Sequence, residues 1–333
     1  MNPGSNEPAA HANVPPRLQG RKVLLTGASG FIGSHLSRRL LEFGAEVHAI
    51  SRAQHRSDAR RLNWWQGDIG DMGFTRWLFQ ELEPDYVLHL ASHVMGSPAL
   101  DHVLPTFRGN LATTVNLLTA AAEYGCTRIL LTGSLSEPEP EHGEAFPSCP
   151  YAAAKWASSM YARMFHALYG VPAVVARVFM VYGPAQRDQS KLIPYTTITM
   201  MQGGVPQITS GSRLVDWIYV ADVVEGLVAA MTAQGIEGST VELGSGSLVS
   251  IREIVERIEA LVGAGVSASF GTLPDRPHEP VRMADTAGSL LKLGWRPVVT
   301  LEEGLARTVA WYREHLGDLE STPLPVPVAV ART

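Results

Sequence analysis

Residues 23–36 read VLLTGASGFIGSHL, and this stretch decides the fold. Its apolar start predicts a short strand, after which glycines spaced Gly-x-x-Gly-x-x-Gly lie at the turn into a helix. Such a turn lets the backbone approach a diphosphate closely, and the free N–H groups and dipole of the helix N-terminus favour negative charge. A flexible turn that holds no ligand is the alternative interpretation. The stretch predicts a dinucleotide site whose phosphate-contacting residues are Gly27, Gly30, Phe31, Ile32 and Gly33.

The same order of strand and helix repeats along the first half of the chain. Short β-branched runs alternate with amphipathic segments of helical length, which indicates right-handed βαβ units and a parallel sheet covered on both faces. We therefore predict an α/β fold, a Rossmann-type doubly wound parallel sheet with a smaller C-terminal substrate-binding lobe. The predicted helices of the sheet domain span residues 31–43, 73–82, 104–124 and 151–169.

The second half of the chain is less regular and sets the predicted domain boundaries. After about residue 182 a Gly/Pro-rich segment, a strand DWIYV, a helix and a strand TVELGSG follow, and a further helix is capped by Ser250. Both ends are rich in Pro, Ala and polar residues and are predicted to be disordered. The predicted parts are a tail 1–19, a dinucleotide-binding domain 20–181 to which strands and a helix return at about 214–246, a substrate lobe 182–213 and 247–315, and a tail 316–333.

Composition excludes several classes of function. The net charge of the 333 residues is -5 without a basic stripe, which argues against a nucleic-acid partner. No run approaches the roughly 18 apolar residues of a membrane-spanning helix, and the first residues lack the pattern of a signal peptide. Cys126 and Cys149 provide neither a disulfide framework nor metal-ligand spacing. We expect a cytoplasmic protein without a metal, a membrane or a nucleic acid as partner.

The stretch PYAAAK, residues 150–155, carries the candidate chemistry. A helical spacing of four residues places Tyr151 and Lys155 on one face, within reach of one ligand. A phenol with its ordinary pKa of about 10 is a poor base, and the ammonium of Lys155, together with a positive nicotinamide ring, would lower that pKa. The alternative is a pair of unrelated surface residues. A phosphate-binding turn upstream and the strand end LLTGS before the helix favour a catalytic pair.

Four stretches, TGASGFIGSHL, GDI, HLAS and YAAAK, together resemble the extended short-chain dehydrogenase/reductases of the nucleotide-sugar epimerase/dehydratase branch. The resemblance runs from about Arg21 to His315. It implies that Ser134 is catalytic with Tyr151 and Lys155, with Ser136 as the alternative if the register slips by two. It also implies a homodimer packed through the helices 104–124 and 151–169. The implied cofactor contacts, besides Tyr151 and Lys155, are Asp68 and Ile69 at the adenine, Leu90, Ala91 and Ser92 in the cleft, and Asn110 behind it.

The end of the second strand bears on the choice between NAD and NADP. An acid at this position accepts a hydrogen bond from the ribose 2′-hydroxyl but repels a 2′-phosphate. Here the strand ends in Ser51 and Arg52, and its only acid, Glu46, lies at the start. A hydroxyl and guanidinium groups suit a phosphate, so NADP is the predicted cofactor and NAD the alternative. Further cations follow at His55, Arg56, Arg60 and Arg61.

Departures from the family pattern fall on the substrate side. Leu135 and Ser136 replace the Asp–Glu pair with which family 4,6-dehydratases eliminate water, and only a displaced Glu137 could substitute for that pair. Met180 replaces a substrate-contacting Asn, and Val215 replaces a diphosphate-binding Arg. The candidate substrate contacts are His93, Ser136, Met180, Arg213 and Arg276, with Arg282 as the alternative to Arg276.

These observations predict an NADPH-dependent reductase of a nucleotide-linked keto-sugar, with a 4-keto-6-deoxyhexose reduced at C4. Hydride would come from the nicotinamide and the proton from Tyr151. The alternative is an NAD(P)-dependent nucleotide-sugar epimerase that passes through a 4-keto intermediate. A 4,6-dehydratase and a non-catalytic dinucleotide-binding protein are the less favoured interpretations.

Overall fold

A computed structural model describes residues 18–55, 62–138, 146–275 and 278–319. Its twelve strands are Lys22–Thr26 (β1), Glu46–Ser51 (β2), Leu62–Gln66 (β3), Tyr86–His89 (β4), Arg128–Ser134 (β5), Ala173–Val178 (β6), Met180–Tyr182 (β7), Gln207–Ile208 (β8), Leu214–Tyr219 (β9), Thr240–Leu243 (β10), Leu248–Ser250 (β11) and Ser269–Phe270 (β12). Its α-helices are Phe31–Glu42 (α1), Met72–Leu82 (α2), Val103–Thr106 (α3), Thr113–Tyr124 (α4), Pro150–Tyr169 (α5), Leu192–Met201 (α6), Val220–Thr232 (α7), Ile251–Val262 (α8), Thr286–Leu293 (α9) and Leu301–Leu319 (α10).

Seven of the strands form one parallel sheet, in the order β10-β6-β5-β4-β1-β2-β3. Alternate residues of β1 enter different cores, Val23 and Leu25 with α1 and α7 on one face and Leu24 with α2, α4 and α5 on the other. Both faces are apolar because helices cover both, as βαβ crossovers require. The predicted Rossmann-type doubly wound sheet is confirmed.

The predicted strand PAVVARVFMV is divided in two. The ladder of the large sheet continues to Phe179, whose N–H donates to the carbonyl of Leu243, and β7 then leaves the sheet. It pairs with β9, which also pairs with β11, so that these three strands form a separate sheet beside the pair β8 and β12. The prediction that DWIYV returns to the large sheet is therefore wrong, whereas α7 and β10 do return.

The lobe formed by these strands has its own core. Val215 and Trp217 of β9 pack there with Ile254 of α8 and Leu305 of α10. The N-terminus of α8 has the predicted cap, because the Ser250 hydroxyl accepts from the Glu253 N–H while the Glu253 carboxylate accepts from the Ser250 N–H. The predicted tails lie outside the described residues except for 18, 19 and 316–319, which belong to structured segments.

The predicted helix 104–124 is not one regular helix. A π-helical turn, Phe107–Ala112, separates α3 from α4. Such turns widen a helix by one residue and are frequent at functional sites. This one contains Asn110, whose side chain points at the segment after β4. Within the part of the chain that the structure covers, no helix has the length and apolar character needed to cross a membrane.

Candidate active site

The predicted phosphate-binding turn follows β1, the predicted cleft residues Leu90, Ala91 and Ser92 follow β4, and Ser134 ends β5. The strand order runs outward from β1 in both directions, with β2 on one side and β4 on the other, so a crevice opens between the two crossovers. Ligands of open α/β sheets bind in this crevice, outside the carboxyl ends of the strands.

The glycine turn after β1 is packed too closely for side chains. Gly27 has a φ of +76°, and a Cβ there would lie 2.6 Å from the backbone nitrogen of Ala91. A Cβ at Gly33 would overlap the carbonyl oxygen of Gly27 and lie 2.9 Å from the Cα of Ala28. Gly30 precedes α1 without a side-chain cap, so the first N–H groups of that helix, at Phe31, Ile32 and Gly33, are available to an anion.

The segment after β4 forms the opposite wall of the crevice. Leu90 and Ala91 are held against the turn, because their N–H groups donate to the carbonyl and the hydroxyl of Thr26 at 3.2 and 3.1 Å. Ser92 Oγ and His93 Nε2 are buried without a hydrogen-bond partner among the described residues. Buried polar atoms are normally paired, so these two atoms fit a site that a polar ligand completes.

Asn110 supports this wall from behind, where the sequence placed it. Its Oδ1 accepts from the His93 N–H at 2.6 Å, and its Nδ2 donates to the His93 carbonyl at 3.2 Å. The amide group of Asn110 therefore fixes the backbone of His93 and not its side chain. His89, the last residue of β4, contacts the hydroxyls of Thr26 and Thr113 at 2.7 and 3.3 Å, and burial lowers its pKa to about 3. No cluster of metal-ligating residues occurs in the described ranges.

The residues predicted to lie near the adenine follow β2 and β3. The Ser51 hydroxyl accepts from the Ala53 N–H and lies 3.1 Å from His55 Nε2, while Arg52 is exposed. Ile69 is buried, and the exposed Asp68 accepts from the Gly70 N–H at 2.8 Å. The predicted cations Arg56, Arg60 and Arg61 lie outside the described residues.

Ser134, Tyr151 and Lys155 come together where β5 ends against the start of α5. The Ser134 side chain lies close enough to the Tyr151 phenol to favour its ionised form. The Lys155 ammonium lies 6.0 Å from the centre of the Tyr151 ring and donates to the carbonyl and hydroxyl of Thr132 at 2.8 and 3.3 Å. Ser136 instead donates its N–H to Ser134 Oγ at 3.2 Å, so the structure brings Ser134 rather than Ser136 to the phenol.

Burial shifts the pKa of both members of this pair. It raises the pKa of Tyr151 to about 12, although the interaction with Ser134 opposes that rise. Burial also lowers the pKa of Lys155 to about 8. The prediction that Lys155 and a positive nicotinamide ring together lower the pKa of Tyr151 requires both charges and stays a prediction.

The apolar residues that depart from the family pattern on the substrate side lie in the two cores or between them. Leu135 belongs to the core beneath the sheet, and Val215 is buried in the core of the lobe. Met180 is half-buried between these two cores. Arg213 lies 2.5 Å from Glu279, and Arg282 pairs with Glu242 at 2.8 Å. The predicted phosphate ligand Arg276 lies outside the described residues.

Sequence reasoning missed three polar residues under the site, Thr132, Ser159 and Arg177, and the contacts that they and Ser134 make with Lys155 and Glu137. Thr132 fixes Lys155, and the carboxylate of Glu137 accepts from the Ser134 N–H at 2.6 Å and from the Ser159 hydroxyl at 2.8 Å. Arg177 lies 3.5 Å from Glu137. An arginine within the apolar strand AVVARV was an available signal, because a buried guanidinium requires an acidic partner. Both carboxylate oxygens of Glu137 are thus engaged, which leaves neither for the dehydratase role.

The chain belongs to the NAD dependent epimerase/dehydratase family, whose pattern it matches over residues 23–244. It is 31% identical over 321 residues to UDP-glucose 4-epimerase of Mycolicibacterium smegmatis, covering 88% of this chain and 98% of that protein. It is 30% identical over 323 residues to dTDP-glucose 4,6-dehydratase of Actinoplanes sp., again covering 88% and 98%. Overall identity therefore does not separate the two activities.

A solved structure adds information on ligands. The UDP-glucuronic acid 4-epimerase of Bacillus cereus, in complex with UDP-glucuronic acid and NAD, superposes with a TM-score of 0.78 at 25% identity. The alignment covers 88% of this chain and 99% of that one. These similarities agree with the predicted alternative, an NAD-using epimerase, better than with the predicted NADPH-dependent ketoreductase. The side-chain-free turn at Gly27 and Gly33 and the uncapped α1 fit a dinucleotide.

Proposed function

We propose that this protein is an NAD-dependent nucleotide-sugar epimerase that acts through a transient 4-keto sugar. The observation that carries the proposal is the arrangement of Ser134, Tyr151 and Lys155 at the crevice beside Leu135, which is packed in the core. This set can move one proton at a sugar hydroxyl. It has no acid at the position where the family's dehydratases carry one, so oxidation and reduction at one carbon is the chemistry it supports best.

In the proposed mechanism Tyr151 removes the proton from the sugar O4 hydroxyl and later returns it. The Ser134 hydroxyl, which lies beside the phenol, orients the same oxygen. Lys155 stays fixed by Thr132 and contributes positive charge beside the phenolate. NAD, when bound, supplies the acceptor and then the donor of the C4 hydride. Inversion at C4 requires the keto sugar to present its other face before the hydride returns.

An epimerase of this kind regenerates its cofactor in every turnover. We expect the purified protein to convert a UDP- or dTDP-sugar into its 4-epimer with NAD in catalytic amount and without added reductant. UDP-glucose, UDP-glucuronic acid and dTDP-glucose are assayed separately, with products resolved by chromatography. Formation of a 4-keto-6-deoxy product would identify a dehydratase instead, and consumption of one NADPH per product would identify a reductase.

The reductase stays as a second candidate because of the end of β2. Ser51 and the exposed Arg52 are the residues that a 2′-phosphate would meet, and the only acid of the strand, Glu46, is at its opposite end. An NADPH-dependent reduction of a 4-keto sugar would use the same Ser134, Tyr151 and Lys155, with Tyr151 as proton donor. The raised pKa of Tyr151, about 12, suits a donor.

Substitution of Ser51 tests whether this residue faces the 2′ position of the adenosine ribose, where NADP carries a phosphate and NAD a hydroxyl. We expect Ser51→Asp to weaken NADP binding at least about tenfold, because a carboxylate repels the 2′-phosphate, and to leave NAD binding within about threefold. Titration calorimetry with both dinucleotides measures the effect, and Ser51→Asn is the uncharged control. Equal weakening of NAD and NADP by the Asp variant would show that Ser51 does not face the 2′ position.

We also propose that the protein is a homodimer. Exposed apolar side chains cluster on α3, on the π-helical turn and on α5, which pack against one another; they include Leu104, Phe107, Met160, Leu168 and Tyr169. An apolar surface of this kind marks an interaction site. We expect Phe107→Glu to shift the protein towards a monomer in sedimentation velocity, while Leu291→Glu, at an exposed apolar residue of α9, leaves the state unchanged. A wild-type monomer would contradict this proposal.

A further inference from the structure

Glu137 is a buried acid that the proposed reaction does not use. It lies in the turn after β5, and its side chain is wholly inaccessible to solvent. One carboxylate oxygen accepts from the N–H of Ser134 at 2.6 Å, and the other accepts from the hydroxyl of Ser159 at 2.8 Å. Ser159 lies on α5, one turn after Lys155. The carboxylate therefore joins the strand end that carries Ser134 to the helix that carries Tyr151 and Lys155.

The backbone around Glu137 is shaped to admit the carboxylate. A Cβ at Gly133 would lie 2.6 Å from Glu137 Oε1 and 2.9 Å from a methyl group of Val175. Any side chain at Gly133 would displace the acid from the Ser134 N–H. The absence of a side chain at Gly133 is thus what makes room for the Glu137 carboxylate at the strand end.

An ion-pair chain fixes the far side of this acid. Arg177 of β6 lies between Glu137 at 3.5 Å and Glu242 of β10 at 2.8 Å, and Arg282 pairs with the same Glu242 oxygen at 2.8 Å. Glu242 also accepts from the N–H of Asp285 at 2.8 Å. A buried charge is tolerated when it has partners of opposite charge. Each charge of this ion-pair chain has such a partner, on a neighbouring strand or in the segment after residue 278. The carboxylate is therefore held in one place.

We propose that Glu137 is a positioning residue of this site. Its carboxylate fixes Ser134 relative to the face of α5 that carries Tyr151 and Lys155, and it presents a negative charge to these two side chains. The inference rests on the proposed function for the roles of Ser134, Tyr151 and Lys155. Glu137 itself does not touch the sugar or the dinucleotide.

The charge has a measurable consequence at Lys155. Burial lowers the pKa of Lys155 to about 8, and Glu137 opposes that shift. The other ionisable neighbours are Tyr151 and His89, and His89 is neutral because burial lowers its pKa to about 3. Glu137 also raises the pKa of Tyr151, after the larger contribution of burial. Removal of the Glu137 charge must therefore lower both pKa values, whereas a purely structural residue would leave them in place.

Two variants separate the charge from the link. In Glu137→Gln the amide can still accept from the Ser134 N–H and donate to Ser159, but the charge is gone. In Ser159→Ala the charge stays and the connection to α5 is lost. The chain contains four lysines, Lys22, Lys155, Lys191 and Lys292, so the Lys155 signal in an NMR titration of ¹³C-labelled lysine can be assigned from the one that Lys155→Arg removes. This titration needs neither substrate nor cofactor.

We expect Glu137→Gln to lower the pKa of Lys155 and to move the pH profile of turnover to lower pH. Ser159→Ala is expected to leave the Lys155 titration unchanged and to reduce turnover by about 10- to 100-fold, since small misplacements of reacting groups are costly. An unchanged Lys155 titration in a folded Glu137→Gln variant would overturn the inference, as would full turnover in Ser159→Ala. If the Gln variant does not fold, the Ser159→Ala result alone decides the positioning role.

The experiments distinguish a failure of the proposed epimerase activity from a failure of the positioning role of Glu137. If wild-type protein converts no nucleotide sugar while Glu137→Gln still moves the Lys155 titration, the proposed function is contradicted and the electrostatic role of Glu137 is supported. If wild-type protein is active and neither variant changes turnover or titration, the role of Glu137 is contradicted and the proposed function is untouched.

Discussion

Tyr151→Phe is expected to reduce turnover of a nucleotide sugar by at least about 1,000-fold, because the variant lacks the phenol hydroxyl that is proposed to exchange the sugar proton. The ring is retained, so the packing of α5 against β5 and the position of Lys155 are preserved. The glycine turn lies elsewhere in the crevice, and the substitution does not alter it. Binding of NAD should therefore change little.

The comparison of two measurements makes this result specific. Turnover is followed by chromatography of the products, and NAD binding by calorimetry on the same preparation. Tyr161→Phe is a matched control, because it makes the same change on the same helix at an exposed position. Turnover of Tyr151→Phe within tenfold of the wild type would remove the tyrosine from the mechanism.

Gly33→Ala is expected to abolish tight dinucleotide binding, with a loss of affinity of at least about 100-fold. The added Cβ would overlap the carbonyl oxygen of Gly27 and press on the Cα of Ala28, both of which are backbone atoms with nowhere to move. The turn would have to open, and α1 would move away from β1. We expect a lower melting temperature as well, because Gly33 is buried where α1 meets the turn.

A glycine in the same turn provides the control. At Gly30 a Cβ would meet only the Gly27 carbonyl oxygen, at 3.2 Å, and the φ of -78° suits any residue. Gly30→Ala should therefore be folded and bind NAD more tightly than Gly33→Ala does. Equal NAD affinity for wild type and Gly33→Ala would show that the dinucleotide does not depend on this turn.

The features that the sequence predicts well are those with a local cause. The strand, turn and helix around Gly27 and Gly33 follow from the spacing of a few neighbouring residues, and so does the common face of Tyr151 and Lys155. The large sheet follows from the repeated alternation of strand and helix. In each case the residues that form the feature are close together along the chain.

The features that the sequence did not predict have distant causes. The partners of Glu137 come from Ser159 and Arg177, 22 and 40 residues further along. The predicted strand is divided because its first half pairs with β10 and its second half pairs with β9. The raised pKa of Tyr151 in the chain without a cofactor comes mainly from burial, which the spacing of Tyr151 and Lys155 does not report. Pairwise spacing along the chain carries no information on desolvation.

The choice between epimerase and reductase depends on where the C4 hydrogen goes, and an isotope label follows it directly. UDP-sugars carrying deuterium at C4 are incubated with the purified protein and catalytic NAD, and the products are analysed by mass spectrometry and NMR. We expect a 4-epimer that retains the deuterium at C4, because the hydride removed from the sugar returns to the same carbon. Absence of a 4-epimer from every nucleotide sugar, together with stoichiometric consumption of NADPH on a 4-keto sugar, would contradict the proposed epimerase.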